Sequence, residues 1–242
     1  MPGAAVTTGL QHWAASHPGA IRLQNQDSYL CRPRLGLFSV ADGVGGHSEG
    51  EVASARVMSL LGEIPEEVPP PDRLVEVRTR LRAAHAELLD QGRGRNPQAT
   101  LATTVIVLMV HEDHFAFLWA GDSRGYLLRD GALHQLTADH SVVQELVESG
   151  VITAAEAGNH PQGNVITRAL GAGGPELRVD KAIGAAQPAD RFLLCSDGLY
   201  KTLDPDEMAE ILAGDGDVAQ RLVAAALARK ARDNVTAVVA AL

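Results

Sequence analysis

The residues most able to carry chemistry in this sequence are aspartates that stand at the ends of apolar runs. They are Asp42 after "LGLFSVA", Asp122 after "FAFLWAG", Asp197 after "RFLLCS", and Asp233 before "NVTAVVAAL". A single aspartate after a strand is most often part of a turn. Several carboxylates gathered at one edge of packed sheets, however, repel one another unless a cation lies between them. Together these aspartates predict a metal site.

The glycine-rich stretch "SVADGVGGHSEG" at 39–50 indicates which metal such a site prefers. Its glycines could expose N–H groups to a phosphate, but it contains neither G-x-x-x-x-G-K-[ST] nor G-x-G-x-x-G. An acid there would repel a phosphate, whereas the Asp42 carboxylate beside the Gly43 carbonyl offers two hard oxygens to Mg²⁺ or Mn²⁺. Zinc is disfavoured because the sequence has no C-x-x-C pair and no H-E-x-x-H helix, and His111 and His114 are typical of a solvated turn.

A site with two such metals has a defined chemical use. Two hard cations that share a carboxylate activate water and hold both the attacking and the leaving oxygen of a phosphoryl displacement. The phosphate of the substrate also needs a cation, and Arg22 in "IRLQNQDS" is the candidate, because a guanidinium matches phosphate bidentately. A fifth acid, Asp27, follows in the same stretch. Taken by itself, Arg22 is more typical of a surface arginine.

Composition indicates one soluble domain and excludes several function classes. The 242 residues are 45% hydrophobic and 21% charged, and the longest apolar stretch, "VIVLMV" at 105–110, is far too short to span a bilayer. No secretory signal is visible at the start, and the two cysteines set up no disulfide framework, so we expect a cytoplasmic protein without membrane attachment. The net charge of −9 argues against binding to nucleic acid.

The elements that must position these residues are predicted from periodicity. On both sides of "PEEVPPPD" (65–72), apolar residues recur at helical spacing, which indicates a helical hairpin whose second helix has Asp72 as its N-cap. From residue 103, short β-branched and aromatic runs separated by turns predict an antiparallel meander with a hairpin at Asp130-Gly131.

The second half of the sequence continues with mixed elements. Residues 141–158 predict two short helices that each begin with a capping box, Ser141 with Gln144 and Thr153 with Glu156. They are followed by a strand at "RFLLCS", a helix after the N-cap Asp204, a helix from about 218 to 230, and a last strand "VTAVVAAL". Because helices and antiparallel strands segregate instead of alternating, the fold class is α+β rather than a doubly wound parallel sheet.

Seven short motifs occur in a fixed order: "RLQNQD" (22–27), "DGVGGH" (42–47), "GDSR" (121–124), "TADHS" (137–141), "HPQGNVITRALG" (160–171), "SDGL" (196–199) and "DNVT" (233–236). From about residue 8 to the C-terminus, the sequence resembles the bacterial metal-dependent protein phosphatases of type 2C, the PPM family. The resemblance implies one domain over residues 1–242, a four-layer α/β/β/α sandwich of two packed antiparallel sheets flanked by helices. It also implies hydrolysis of phosphoserine and phosphothreonine in proteins, by water that two Mn²⁺ or Mg²⁺ ions activate.

The resemblance assigns metal-binding roles residue by residue. It implies that Asp42 bridges the two metal ions and that the Gly43 carbonyl binds one of them. Asp197 and Asp233 are then expected to complete the other metal site. Asp27 is expected to act through metal-bound water.

Three further assignments follow from the same resemblance. Arg22 is expected to hold the substrate phosphate, and Asp122 resembles the family's ligand for a third, weaker metal site. Residues from about 139 to 164 fall where the family has a mobile flap beside the active site. The flap sequence differs among family members and influences substrate choice, so no contacts are transferred to it.

The sequence departs from the family pattern at two positions. Many eukaryotic members have a histidine directly after the metal-binding Asp-Gly, as the acid that protonates the leaving alcohol, but Val44 stands there. His47 is the candidate acid in this chain, with metal-bound water as the alternative donor. Gln26 stands where the family usually has glutamate, and the loss of charge predicts a slightly lower metal affinity.

Other enzyme classes fit the sequence less well. "GDSRG" (121–125) matches G-x-S-x-G with Ser123 as nucleophile, but that motif needs a strand, a sharp turn and a helix, and here a strand follows. A cysteine-dependent phosphatase using Cys195 would need an arginine six positions later, where Lys201 stands. Neither class explains the acids.

A catalytically weak docking module with the phosphatase fold is the alternative from a different functional class. Such a module would have lost one or more metal ligands. All five principal carboxylates are present in this sequence, which favours an active enzyme. The expected partners are phosphorylated proteins, and the bacterial style of the motifs suggests that the enzyme opposes a Ser/Thr kinase and acts on that kinase and its substrates. No motif demands more than a monomer.

Overall fold

The computed structural model describes residues 10–45, 49–93, 101–158 and 160–242. Within these ranges the strands are β1 (Gln11–His17), β2 (Asp27–Arg32), β3 (Leu37–Val44), β4 (Ala102–Thr103), β5 (Val105–His111), β6 (His114–Ala120), β7 (Arg124–Arg129), β8 (Ala132–Gln135), β9 (Asp180–Ala185), β10 (Arg191–Cys195) and β11 (Val235–Ala241). The helices are α1 (Glu49–Gly62), α2 (Pro70–Arg93), α3 (Val142–Glu148), α4 (Ala154–Ala157), α5 (Asp197–Tyr200), α6 (Pro205–Ala213) and α7 (Val218–Ala228), with a 3-10 helix at Pro33–Leu35. None of these helices is long and apolar enough to cross a membrane.

The strands form two antiparallel sheets. The first sheet has the order β1-β11-β10-β7-β8, and the second has the order β2-β3-β5-β6-β9 with β4 paired to β3. Trp13 of β1 lies opposite Val239 of β11, so the first and last strands are neighbours in one sheet. The loop that carries Arg22 follows β1, and Asp233 precedes β11. This pairing therefore brings the two residues to the same end of the sheet.

The central strands of each sheet are buried on both faces, and successive side chains of such a strand point to opposite faces. Phe38 of β3 and Phe192 of β10 belong to the apolar core between the sheets. Leu37 instead joins the core under α1 and α2, and Leu193 joins the core under α6 and α7. Two helical layers thus cover two packed sheets, which confirms the predicted four-layer α+β sandwich.

The helical hairpin of α1 and α2 is confirmed, but the predicted N-cap of α2 is wrong. The helix begins at Pro70, two residues before Asp72. The N–H of Asp72 already donates to the carbonyl of Pro69 at 2.9 Å. Proline suits the first turn of a helix because its backbone angle is already helical and the missing N–H would have no partner there. The proline run therefore starts the helix, and Asp72 lies inside the first turn.

The predicted single meander is also wrong. β5 and β6 form a hairpin in the second sheet, whereas β7 and β8 form a hairpin in the first sheet. The chain crosses between them at Gly121, whose φ of +118° suits glycine and whose missing side chain admits Thr104. Alternation of apolar and polar residues identifies strands but not the sheet to which each belongs. The Asp130-Gly131 turn itself is confirmed, with positive φ at both residues.

Candidate active site

Acids from both sheets meet at one edge of the sandwich. Asp27 and Asp42 are direct partners across the β2–β3 pair of the second sheet. Asp197 follows β10 and Asp233 precedes β11 in the first sheet, and Asp122 lies where the chain crosses from one sheet to the other. The fold therefore collects all five predicted acids, although they are spread from residue 27 to residue 233 of the chain.

The electrostatics of Asp42 show that these acids are neighbours in space. Burial raises the pKa of its carboxyl well above the ordinary value, and the negative charges of the other four acids raise it further: Asp27, Asp197, Asp122 and Asp233. A cluster of this kind favours a bound cation, because a positive charge offsets both the burial and the repulsion.

Asp27 is oriented by two hydroxyl groups from the opposite sheet. Ser196 Oγ and Thr236 Oγ1 each donate to its Oδ2 at 2.6 Å. Burial raises the pKa of Asp27 to about 7, although the two hydroxyl bonds act in the opposite direction. Its other oxygen, Oδ1, is buried and has no hydrogen-bond partner. An unpartnered buried acceptor is costly, and this one fits a bound cation or the water such a cation carries.

Gly43 lies where only a glycine fits. A Cβ there would come 2.1 Å from the carbonyl oxygen of Gly50 in the first turn of α1. The Gly43 N–H donates to the Gln26 carbonyl at 3.1 Å, and the Asp42 carbonyl accepts from Thr104 N–H at 2.8 Å. These bonds fix the Asp42-Gly43 backbone between β2, β4 and α1, as a metal ligand pair requires.

Asp197 and Asp233 each bind a cationic side chain. Lys201 Nζ donates to Asp197 Oδ2 at 2.7 Å, and Arg22 donates from Nε and Nη2 to the two Asp233 oxygens at 3.0 and 2.9 Å. In the part of the chain that the structure describes, no three Asp, Glu, His or Cys side chains form a ready-made metal cage. The oxygen-only donor set and the free Asp27 Oδ1 fit Mn²⁺ or Mg²⁺, which would compete with Lys201 and Arg22 for carboxylate oxygens.

Asn234 is a positioning residue that the sequence analysis missed. Its Nδ2 donates to the carbonyls of Pro18 and Gln24, both at 3.0 Å, and its Oδ1 accepts from Gln26 N–H at 2.8 Å. It thereby holds the loop that carries Arg22 against the start of β11. The motifs "SDGL" and "DNVT" could have indicated Asn234 and the two hydroxyl residues, Ser196 and Thr236. Each of the three lies within three residues of a predicted metal ligand.

Asp122 is buried on the flap side of the acid cluster. Burial raises its pKa to about 6, with Asp197 adding to the rise and Lys201 opposing it. Tyr200 Oη donates to its backbone carbonyl at 3.1 Å. The preceding Gly121 N–H donates to His140 Nδ1 at 3.1 Å. Asp122 is therefore placed to add a carboxylate beside Asp197.

The segment predicted as a flap contains the two expected short helices. The capping box of Thr153 with Glu156 is confirmed at the start of α4, but the one at Ser141 is wrong: Ser141 Oγ accepts from Gln144 N–H, while the Gln144 side chain donates to Glu148 instead. Between these helices and Asp122 lies a cavity of about 710 Å³, also lined by Lys201.

Two contacts connect the ends of this segment, Asp139 and Asn164, to the sandwich. Asn164 Oδ1 accepts from Lys201 Nζ at 2.8 Å, so Lys201 bridges the flap and the Asp197 carboxylate. The Arg124 guanidinium binds Asp139 and also lies 3.7 Å above the Tyr200 ring. Residues 139–164 are thus held against the acid cluster through Asp139 and Asn164.

The predicted general acid, His47, lies outside the described residues. Val44, which stands in the position of the eukaryotic histidine, is the last residue of β3 and is 37% exposed. An apolar side chain at this position supplies no proton.

The structure excludes a serine hydrolase that uses Ser123 and a cysteine-dependent phosphatase that uses Cys195. Ser123 is buried, its hydroxyl bonds Thr104 Oγ1 at 2.7 Å, and β7 rather than a helix follows it. Cys195 is fully buried, and burial raises the pKa of its thiol above the ordinary value. Neither residue can serve as an activated nucleophile.

Comparison with known proteins identifies similar sequences. The model of the family described as protein phosphatase 2C matches residues 20–232. The chain is 38% identical over 239 residues to the serine/threonine protein phosphatase PstP of Mycobacterium tuberculosis, covering 98% of this chain and 46% of that protein. It is 33% identical over 228 residues to the serine/threonine phosphatase stp of Listeria monocytogenes, covering 90% of each. The chain thus spans about half the length of PstP and nearly the whole Listeria protein.

Solved structures agree with these matches. The catalytic domain of PstP in complex with two manganese ions superposes with a TM-score of 0.85 at 36% identity, covering 96% of this chain and 97% of that one. PppA, a regulatory component of the type VI secretion system (T6SS) of Pseudomonas aeruginosa, superposes with a TM-score of 0.87 at 36% identity, covering 96% and 97%.

Proposed function

The chain belongs to the protein phosphatase 2C family, and from this premise we propose that it hydrolyses phosphoserine and phosphothreonine in proteins. The observation that carries the proposal is the convergence of five carboxylates from two sheets, among which Asp27 keeps one buried oxygen without a partner. The names of its relatives, serine/threonine protein phosphatases, support the same activity.

Two Mn²⁺ or Mg²⁺ ions, when bound, supply an activated water and neutralise charge on the phosphoryl group. Asp42, the Gly43 carbonyl, Asp197 and Asp233 are the residues proposed to hold them. A solved relative contains two manganese ions, which supports this stoichiometry. Asp122 is proposed as ligand of a third, weaker site, since its carboxylate is buried and lies within electrostatic reach of Asp197.

Asp27 is proposed to orient the nucleophile. Ser196 and Thr236 hold one carboxylate oxygen, so the orientation of the other oxygen is fixed as well. A fixed acceptor aligns the lone pair of an attacking water, which lowers the entropic part of the barrier.

Arg22 is proposed to bind the substrate phosphate. Its side chain is 57% exposed at the edge of the acid cluster, so it can reach a ligand from solvent. Its bidentate geometry toward Asp233 is the same geometry that it would offer to two phosphate oxygens. The leaving alcohol needs a proton, for which His47 stays the candidate, with metal-bound water as the alternative.

The proposal also covers the extent of the domain, the location of the protein, its oligomeric state and its partners. We propose a single type 2C domain over residues 1–242, with residues of about 139–164 as a flap over the cavity beside Asp122. We propose further that the protein is a cytoplasmic monomer that binds neither nucleic acid nor membrane. Its partners would be a Ser/Thr kinase and that kinase's phosphorylated substrates, because a phosphatase of this class reverses such a kinase.

The decisive experiment measures hydrolysis of a phosphothreonine peptide by the purified protein with Mn²⁺, with EDTA, and with Asp42→Asn in Mn²⁺. We expect activity that requires metal and disappears in the variant, while the surface control Asp113→Asn stays active. A protein that binds Mn²⁺ in calorimetry but hydrolyses nothing would favour the docking-module function instead.

A further inference from the structure

Four arginines line a cavity of about 380 Å³ that lies apart from the acid cluster. Arg78 and Arg82 reach it from α2, Arg168 precedes the core residues Ala169 and Leu170, and Arg178 belongs to the extended segment before β9. None of its lining residues lines the cavity under the flap. We call this cavity the arginine pocket.

The positive charge of the arginine pocket is largely unpaired. Arg168 Nη1 donates to Asp180 Oδ1 at 2.9 Å, and Asp180 is the one acid in the lining. Among the described residues, Arg78, Arg82 and Arg178 form no hydrogen bond and no ion pair. Four guanidinium groups therefore face a single carboxylate, in a chain whose net charge is −9.

This arrangement does not serve the stability of α2. Arg78 and Arg82 are four residues apart on one face, where like charges destabilise a helix. The arginine between them shows the usual alternative, since Arg80 binds both Glu76 and Glu63. No acid stands three or four residues from Arg78 or Arg82 along α2 to offset this repulsion. The unpaired charge is instead available to a ligand.

The pocket suits a phosphate group in particular. Guanidinium groups bind phosphate oxygens in pairs, and several of them around one cavity match a dianion better than a single carboxylate. Leu177 and Val179 alternate with Arg178 and pack partly into the apolar core, which fixes the backbone that carries Arg178. The helix and this anchored segment fix the backbone positions from which Arg78, Arg82 and Arg178 reach the cavity.

The pocket also has a short structural connection to the active site. Asp180, which Arg168 binds, contacts His140 Nε2 at 3.2 Å through its other oxygen. His140 Nδ1 in turn accepts from the N–H of Gly121, the residue before Asp122. A chain of three side-chain contacts therefore runs from the arginine pocket to the residue before Asp122.

We propose that the arginine pocket binds a second phosphate group, carried by another phosphorylated residue of the protein that is being dephosphorylated. This assignment of substrate class rests on the proposed phosphatase function. Free inorganic phosphate offers the same chemistry, so the test below separates the two sources.

The first arm measures binding of inorganic phosphate to the full chain in EDTA by calorimetry, which does not depend on activity. We compare the natural protein with the triple variant Arg78→Gln, Arg82→Gln and Arg178→Gln, and with Arg93→Gln as an exposed control on α2. We expect the triple variant to bind phosphate at least about tenfold more weakly, or about 1.4 kcal/mol, and the control to bind it normally.

The second arm compares KM for peptides with one phosphothreonine and with two at several spacings. We expect the second phosphate to lower KM about tenfold in the natural protein and less than about twofold in the triple variant, with unchanged kcat. Phosphate binding without this preference would assign the pocket to free phosphate. If neither measurement depends on the three arginines, the proposal is overturned. If the singly phosphorylated peptide is not hydrolysed, the phosphatase function fails, and the calorimetry still decides the pocket.

Discussion

Arg22 binds Asp233 through two parallel hydrogen bonds, although 211 residues of sequence separate them. From the sequence, Arg22 was expected to hold the substrate phosphate and Asp233 a metal ion. Their contact places the two functions side by side, because a metal at Asp233 and a phosphate at Arg22 would then be neighbours. The carboxylate also fixes the guanidinium plane in a direction suited to bidentate binding.

Replacing Arg22 with lysine tests this arrangement. Lysine keeps the charge but loses the planar pair of donors. We expect kcat/KM for a phosphothreonine peptide to fall roughly 10- to 150-fold, which corresponds to about 1.5–3 kcal/mol of lost transition-state binding, as for a hydrogen bond to a charged group. Steady-state kinetics at saturating Mn²⁺ measures the effect. Arg34→Lys, an exposed arginine paired with Glu66, is the control, and equal losses in both variants would contradict the role.

Removing the Thr236 hydroxyl tests how Asp27 is positioned. Thr236→Val deletes one of the two donors to Asp27 Oδ2, so the carboxylate loses its fixed direction. We expect activity to fall about 10- to 100-fold, the usual effect of a group that orients an active-site ligand. Thr236→Ser should restore most of the activity because it returns the hydroxyl.

Two readouts separate this role from a loss of stability. The Mn²⁺ concentration for half-maximal activity should rise in Thr236→Val, while an exposed helix variant, Thr79→Val, should leave it unchanged. Full activity of Thr236→Val at ordinary Mn²⁺ concentration would show that Ser196 alone suffices to orient Asp27.

Metal binding should stabilise the folded protein strongly. Burial and mutual repulsion of the acids oppose ionisation of Asp42 in the metal-free fold, and a divalent cation removes both costs. At a Mn²⁺ concentration about 100 times Kd we expect about 2.7 kcal/mol of added stability. This corresponds to a rise in Tm of roughly 5–10 °C for a domain of this size. Thermal unfolding with Mn²⁺ and with EDTA measures it, and an equal shift in Asp42→Asn would argue that the ion binds elsewhere.

Adding a methyl group at Gly43 should disrupt the site through the backbone. In Gly43→Ala the new Cβ meets the Gly50 carbonyl, so α1 or β3 must move. We expect a loss of about 1–3 kcal/mol in the free energy of unfolding together with weaker Mn²⁺ binding. Urea denaturation and calorimetry measure the two effects. Gly62→Ala is the control, since nothing lies within 4 Å of a Cβ at that position.

The sequence alone determined the parts of this protein that depend on neighbouring residues. The capping box at Thr153 and the hairpin turn at Asp130-Gly131 follow from local backbone preferences. The identity of the candidate metal ligands also came from the sequence, because each acid stands beside a recognisable strand or motif.

Tertiary structure decided everything that joins distant segments. It assigned β5 and β6 to one sheet and β7 and β8 to the other, which alternation could not do because both hairpins have the same pattern. It placed the hydroxyls of Ser196 and Thr236 on Asp27, across 169 and 209 residues. Only packing of the two sheets brings such groups within hydrogen-bond distance, and the arginine pocket between α2 and the segment before β9 arises in the same way.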